Sequence, residues 1–321
     1  MRKLLIFCLT IALFASTTTV FAAEASNFTE NTIEIGPYEL EGRLAMPNSA
    51  ELPPVAIFIH GSGQADFDSA FGGMTFFRDI AFGLAEQGIA SIRFNKRFYQ
   101  HAPLPGDATI FTETIDDVMY AIEYAAARDD LGPIFLIGFS QGGIVAPYIA
   151  FENEDVAGIV SLAGSPRNFL DILTSQSQNG FFTDDIPFAR LIRQIMIVDE
   201  KTSPMMYNLL NAQATQMGFP ISFLRSMDTI NTYELLPHID IPFLILQGDM
   251  DLQISAQHCF AAWEDALYGR ENAKFILYEG LNHFFAPHMP QYGSFQQRAV
   301  VDVDKRVAED IAEWILEVSS E

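Results

Sequence analysis

Two cysteines are all that 321 residues contain. One of them, Cys8, lies in an apolar stretch at the extreme N-terminus. Cys259 is then the only thiol left for a folded domain, so no intramolecular disulfide can staple it. A domain of this length relies on its hydrophobic core instead. Cations are scarce as well: 18 Lys and Arg stand against 41 Asp and Glu, a net charge of −23. A field of that sign repels polyanions, which argues against nucleic acid and anionic membrane surfaces as partners and suits solubility. The sequence has no His/Cys/Glu cluster with metal-ligand spacing and no dinucleotide-type Gly-rich loop, so neither a metal nor an organic cofactor is implied. Internal repeats and low-complexity tracts are missing too. Beyond the N-terminus, no apolar run is long enough to span a bilayer.

The N-terminus reads MRKLLIFCLTIALFASTTTVFAAEASN. Arg2 and Lys3 precede a short apolar stretch, and Val20-Phe21-Ala22 supplies the small-residue exit. This is the pattern of a secretory leader over residues 1–22, cleaved near Ala22, and it implies a secreted or periplasmic protein. An uncleaved anchor is the alternative, for which the apolar run is short. Cys8 follows Phe7, not the small residues that a lipoprotein leader needs.

What remains alternates between strands and helices. Residues 32–47 split at Gly36-Pro37 into two short alternating runs, an antiparallel hairpin at a sheet edge. VAIFIH (55–60), IASIRFN (89–95), PIFLIGF (133–139), VAGIVSLAG (156–164), IPFLILQG (241–248) and AKFILYEG (273–280) read as strands. The continuous apolar runs among them mark strands covered on both faces. Helical spacing intervenes at 76–88, 113–128 and 143–152, and a closing helix is expected over 303–318. The pattern predicts an α/β fold with a mostly parallel sheet and helices on both faces. Only the interval 165–240 breaks the rhythm. It is rich in Phe and Met and reads as an inserted helical cap, leaving 23–164 and 241–321 as the core.

Chemistry concentrates at the strand ends. Gly138-Phe139-Ser140-Gln141-Gly142 joins a buried strand to a helix, the context that a nucleophilic serine on a sharp turn requires. The bland alternative is a serine that merely caps the helix. HGSG (60–63) ends an earlier strand, and its loop can offer main-chain N–H groups beside Ser140. Ser62 and Gln141 are the expected oxyanion donors, with a plain Gly-rich turn as the alternative. His60 belongs to that turn and is expected to be structural. His283 follows the last strand, where an imidazole can swing back over Ser140; His288 is its rival, and His101, His238 and His258 read as surface or packing residues. The acid should follow the preceding strand, where Asp249 and Asp251 compete and Asp251 leaves room for the turn. Nucleophile, acid and base then run in the order Ser140, Asp251, His283.

HGSG, FRDIAFGLAEQGIASIRFNKR, GFSQGGIVAP, LQGDMDLQIS and GLNHFF together resemble bacterial α/β-hydrolases of the serine esterase and serine aminopeptidase-like group, related to dienelactone hydrolases. The resemblance spans about residues 53–317. It implies the α/β-hydrolase fold and a Ser-His-Asp triad, and it favours Asp251, the third residue after the strand-ending glycine. Members of the group carry an aspartate before Lys96-Arg97 where this chain has Asn95, so any ion pair there is expected to be weakened. Dienelactone hydrolases use a cysteine nucleophile, so that activity is not implied for Ser140. The expected function is hydrolysis of small-molecule carboxylic esters with small to medium acyl groups. An aminopeptidase-like enzyme is the alternative, its substrate amine held by Asp184-Asp185 or Glu200. A non-catalytic exported binding protein on the same fold is a third reading.

Overall fold

A computed structural model describes residues 27–178, 188–289 and 302–320. The leader read at 1–22 lies outside them, as do Phe181, Phe182, Asp184 and Asp185.

The chain opens with β1 (Phe28–Ile35) and β2 (Leu40–Pro47), an antiparallel hairpin whose register pairs Ile35 with Leu40 and Phe28 with Pro47. Next come β3 (Val55–Ile59), the two-residue pair β4 (Ala70–Phe71) and β5 (Met74–Thr75), α1 (Phe76–Glu86) and β6 (Ala90–Phe94). A short α2 (Arg97–Gln100) and one π-helical turn (Phe111–Ile115) lead into α3 (Asp116–Ala126). The middle of the chain is β7 (Ile134–Phe139), α4 (Gln141–Phe151) and β8 (Val156–Leu162). After the helical interval come β9 (Phe243–Gly248), a second π-helical turn (Ala256–Phe260), α10 (Ala261–Ala266), β10 (Ala273–Tyr278) and α11 (Lys305–Ser319).

Eight strands form one sheet in the order β1-β2-β6-β3-β7-β8-β9-β10. All neighbours from β6 to β10 pair in parallel, and the hairpin at the opposite edge is antiparallel. The apolar runs follow from this layering. In β3, Val55, Ile57 and Ile59 enter one apolar layer while Ala56 and Phe58 enter the other. Successive strand residues face opposite sides, so a sheet covered twice needs apolar residues at every position. Helices α3 and α4 cover the first layer, with Val118, Ile122, Val145 and Ile149 buried in it. On the other face, α1 and α11 bring Phe76, Phe77, Leu84, Ile311 and Trp314 against the sheet. The Trp314 ring meets Phe135 edge-on at 5.7 Å. Each such side chain contributes about 1.5–3 kcal/mol through its burial. Asp304 caps α11 by accepting the Arg306 N–H at 3.0 Å, one of the orphan donors of a first turn.

Between β8 and β9 lie α5 (Phe169–Gln178), α6 (Phe188–Ile197), α7 (Pro204–Gln216), α8 (Ile221–Asp228) and α9 (Thr232–Leu235), followed by a 3-10 turn (Leu236–His238). Their buried side chains join the apolar layer on the α3 and α4 face of the sheet, and among them Phe223 meets Phe169 at 6.2 Å and Phe219 at 5.8 Å. Met227 is buried there and Met196 and Met217 are half-buried, whereas Met205 and Met206 are exposed.

Candidate active site

Four strand ends converge at the carboxyl edge of the sheet. The first, β7, passes into α4 through the Gly138–Gly142 pentad. A side chain at either glycine would strike backbone: a Cβ on Gly142 would meet the Ile59 carbonyl oxygen, and one on Gly138 the Gly142 carbonyl. Ser140 sits between them at φ +53° and ψ −114°, a region that costs a non-glycine residue of order 1–3 kcal/mol. Bonds from the Ser140 N–H to the Leu162 carbonyl (2.8 Å) and from the Gly143 N–H to the Ser140 carbonyl (3.0 Å) hold it there. Its hydroxyl makes no capping bond to α4. The capping alternative therefore fails: the strain presents a side chain that α4 does not use.

The second strand end, β9, carries both acidic candidates, and they separate cleanly. Asp249 is exposed and its carboxylate accepts the Gly280 N–H at 2.7 Å, the work of a turn. Asp251 is buried. Its Oδ1 accepts the N–H groups of Gln253 (2.7 Å) and Ile254 (2.8 Å). Its Oδ2 accepts Gln247 Nε2 at 2.8 Å and faces His283 Nδ1 at 2.6 Å. Three N–H donors already point at this carboxylate, and Nδ1 of His283 is placed to donate the fourth bond. Nε2 is left with its lone pair, the tautomer a general base needs. Gln247, fully buried in β9, ties the Asp251 carboxylate to the Ile254 carbonyl (3.1 Å). Sequence reasoning missed it. The only signal was a polar residue closing an otherwise apolar strand.

The third, β10, leads into the His283 loop. Asn282 Oδ1 accepts the N–H groups of Phe284 (2.9 Å) and Ala286 (3.2 Å), which fixes the turn that presents the imidazole. The ring packs on Phe139 at 4.9 Å and Phe284 at 5.4 Å. The rival His288 does not line the same cavity as Ser140, nor does His258, and His101 is engaged with the Tyr38 carbonyl at 2.6 Å. His60 is buried and donates from Nε2 to the Phe94 carbonyl at 2.7 Å. Burial, reinforced by the Lys96 charge, lowers its pKa to about 3, so it is neutral and structural.

The fourth, β3, ends in the HGSG turn. Gly61, Ser62, Ser140, Gln141 and His283 all line one cavity of about 320 Å³. Its apolar wall includes Ile144 of α4, Phe169, Ile172 and Leu173 of α5, and Phe219. A neighbouring cavity of about 400 Å³ shares Gln64, Gln141 and Phe219 with it. Lys96, Phe98, Leu104 and Glu113 line that second space. Among the described residues no carboxylate lines the first cavity, and Glu200 is exposed and away from it. No group of His, Cys, Asp and Glu among the described residues suits a metal, and none of their helices is long and apolar enough to cross a membrane. Cys259 is buried, and burial pushes its thiol pKa up.

Asn95 brings no charge to the adjacent cations, and carboxylates from other elements pair with them. Lys96 pairs with Glu113, and Arg97 bonds Asp117 at 2.5 Å, all four being buried. The π-helical turn and α3 bring both carboxylates in, from residues 113 and 117. Asn95 instead accepts the Phe67 N–H at 2.8 Å and shapes the loop after HGSG.

The model of the serine aminopeptidase, S33 family (Hydrolase_4) matches residues 72–286. That span takes in the elbow, Asp251 and His283, and begins past the HGSG turn. Esterase EstD of Thermotoga maritima is 25% identical over 293 residues, covering 91% of this chain and 69% of its own length. Among solved structures, Est1E from Butyrivibrio proteoclasticus matches with a TM-score of 0.60 at 19% identity, over 90% of this chain and 99% of that one. A dienelactone hydrolase from Anabaena variabilis matches at 0.52 and 18%, over 91% and 98% of the two chains. These structural likenesses speak for the fold, and the family model matches most of the chain. The chain thus belongs to the serine aminopeptidase, S33 family, hydrolases built on the α/β-hydrolase fold.

Proposed function

We propose that this enzyme cleaves carboxylic esters with small to medium acyl groups through an acyl-enzyme on Ser140, and that it works outside the cytoplasm once the 1–22 leader is removed. The observation that carries the chemistry is the fully bonded Asp251 carboxylate on His283 Nδ1, in one cavity with a serine held in a strained turn. His283 Nε2 takes the Ser140 proton as Oγ attacks the ester carbonyl. Asp251 holds the tautomer and stabilises the imidazolium. The N–H groups of Ser62 and Gln141 receive the oxyanion, aided by the positive N-terminal end of α4. His283 then protonates the departing alkoxide, and water, deprotonated by the same base, releases the acid.

Helices α5–α8 act as the cap in this reading, and their apolar side chains set the acyl length. A cavity of about 320 Å³ lies at the small end of the ligand-site range of roughly 300–1,000 Å³. An aminopeptidase needs a carboxylate for the substrate ammonium. Among the described residues the cavity wall offers none, and Asp184 and Asp185, read for that role, lie outside them. Rates on p-nitrophenyl acetate, butyrate and octanoate, compared with aminoacyl p-nitroanilides, test the proposal. Fastest turnover on the short and medium esters is expected. Faster turnover of the aminoacyl anilides would replace this reading with the peptidase.

A further inference from the structure

The two residues assigned to the oxyanion site are joined by more than the backbone. Ser62 Oγ donates to Gln141 Oε1 at 2.8 Å. Gln141 Nε2 donates to Glu113 Oε2 at 3.0 Å, and Thr114 Oγ1 donates to the same oxygen. Glu113 Oε1 pairs with Lys96, whose Nζ donates to the Gly61 carbonyl at 2.9 Å. Gly61 precedes Ser62, so the circuit closes on itself. Lys96, Glu113 and Gln141 are all buried. A buried ion pair is weak support for stability, since desolvation offsets most of its attraction. Its position, however, bears on the chemistry.

In a trans peptide the C=O and the following N–H point opposite ways. Lys96 holds the Gly61 carbonyl on its own side and so turns the Ser62 N–H away from itself. A cation on that carbonyl also polarises the peptide and makes its N–H a stronger donor. Glu113 does the corresponding work for Gln141, anchoring the side chain of the residue whose N–H is the second donor. We propose that Lys96 and Glu113 are positioning residues of the oxyanion site, which aim the Ser62 and Gln141 N–H groups at the developing charge. This rests on the reading of Ser140 as nucleophile, with those two groups as its oxyanion donors.

The test uses Lys96→Met, Glu113→Gln and the double variant Lys96→Met/Glu113→Gln, in which no buried charge is left alone. Misaimed donors cost of order 10- to 100-fold in rate. The expected result is a kcat on p-nitrophenyl butyrate lower by that factor in all three, with KM within about threefold. Affinity for a trifluoromethyl ketone, which forms the tetrahedral adduct, should fall in parallel with kcat/KM. The double variant should keep the loss even where its Tm returns to the wild-type value. Wild-type kcat in a folded double variant, or an unchanged ketone affinity in folded Glu113→Gln, would overturn the proposal. Ser140→Ala, assayed alongside, separates the two ideas. Retained turnover there would remove the nucleophile reading itself; lost turnover there with intact Lys96→Met turnover would remove only the positioning role.

Discussion

Asp251→Asn changes one atom in a fully bonded carboxylate, and the surroundings dictate the consequence. The new amide keeps its oxygen for the Gln253 and Ile254 N–H groups, at 2.7 and 2.8 Å. Its NH₂ then replaces Oδ2 and faces two donors, Gln247 Nε2 at 2.8 Å and His283 Nδ1 at 2.6 Å. Imidazole relieves the clash by moving its proton to Nε2, so that Nδ1 accepts. The base is then protonated at the atom that must take the Ser140 proton. A wrong tautomer of this kind costs about 10⁴ in kcat, and the unmade bond at Gln247 costs about 1–3 kcal/mol of stability. Asp249→Asn has neither effect, because an amide oxygen accepts the Gly280 N–H as well as a carboxylate does. Steady-state kinetics on p-nitrophenyl butyrate should show Asp249→Asn within about threefold of wild type and Asp251→Asn down by three to four decades with little change in KM. Activity of Asp251→Asn within tenfold of wild type, or its loss in Asp249→Asn, would refute the assignment of the acid.

Further outcomes follow from the same geometry. Protonation of unfolded His60 begins near its ordinary value of 6.5, whereas the buried ring resists it down to about 3. Stability conferred by the neutral ring is complete above pH 6.5 and is lost as pH falls toward 3, by about 1.4 kcal/mol per unit. Asp117, pushed up to about 6 by burial, works the opposite way below pH 6, so the contrast between wild type and His60→Gln isolates the histidine. Urea denaturation should show that difference constant from pH 7 to 8 and shrinking by about 2 kcal/mol from 6.5 to 5; a flat difference would contradict a buried neutral ring. Phe219 walls both cavities, and Phe219→Ala should join them. The kcat/KM of p-nitrophenyl octanoate relative to butyrate should then rise, up to about fourfold per added methylene that finds apolar surface. An unchanged profile would place the acyl chain elsewhere.

How much of this was legible in the sequence differs between framework and fine structure. Runs such as VAIFIH announce strands buried on both faces because a doubly covered sheet demands apolar side chains at every position, and that demand is local. Gly138 and Gly142 were legible for the same reason, since the approach of α4 to β3 excludes a Cβ. Asp251 and His283 could be nominated because chain order places them at successive strand ends. Gln247, Lys96 and Glu113 were not legible. Each is a single polar residue whose partner lies in another element, and no periodicity marks it. The carboxylates that pair with Lys96 and Arg97 come from a π-helical turn and α3, whose placement depends on tertiary packing. The β4–β5 pair is likewise too short to leave a pattern.

The central claim is that Ser140 attacks the carbonyl with His283 as its base. A fluorophosphonate probe tests it most directly, because phosphonylation needs both an exposed nucleophile and its activation. Intact-mass and peptide analysis of the labelled protein should show one adduct per chain, located on Ser140. That adduct should be absent in Ser140→Ala and should form at least a hundredfold more slowly in His283→Ala. An adduct on another residue, labelling that persists in folded Ser140→Ala, or an unreactive wild type that nonetheless turns over p-nitrophenyl butyrate would contradict it.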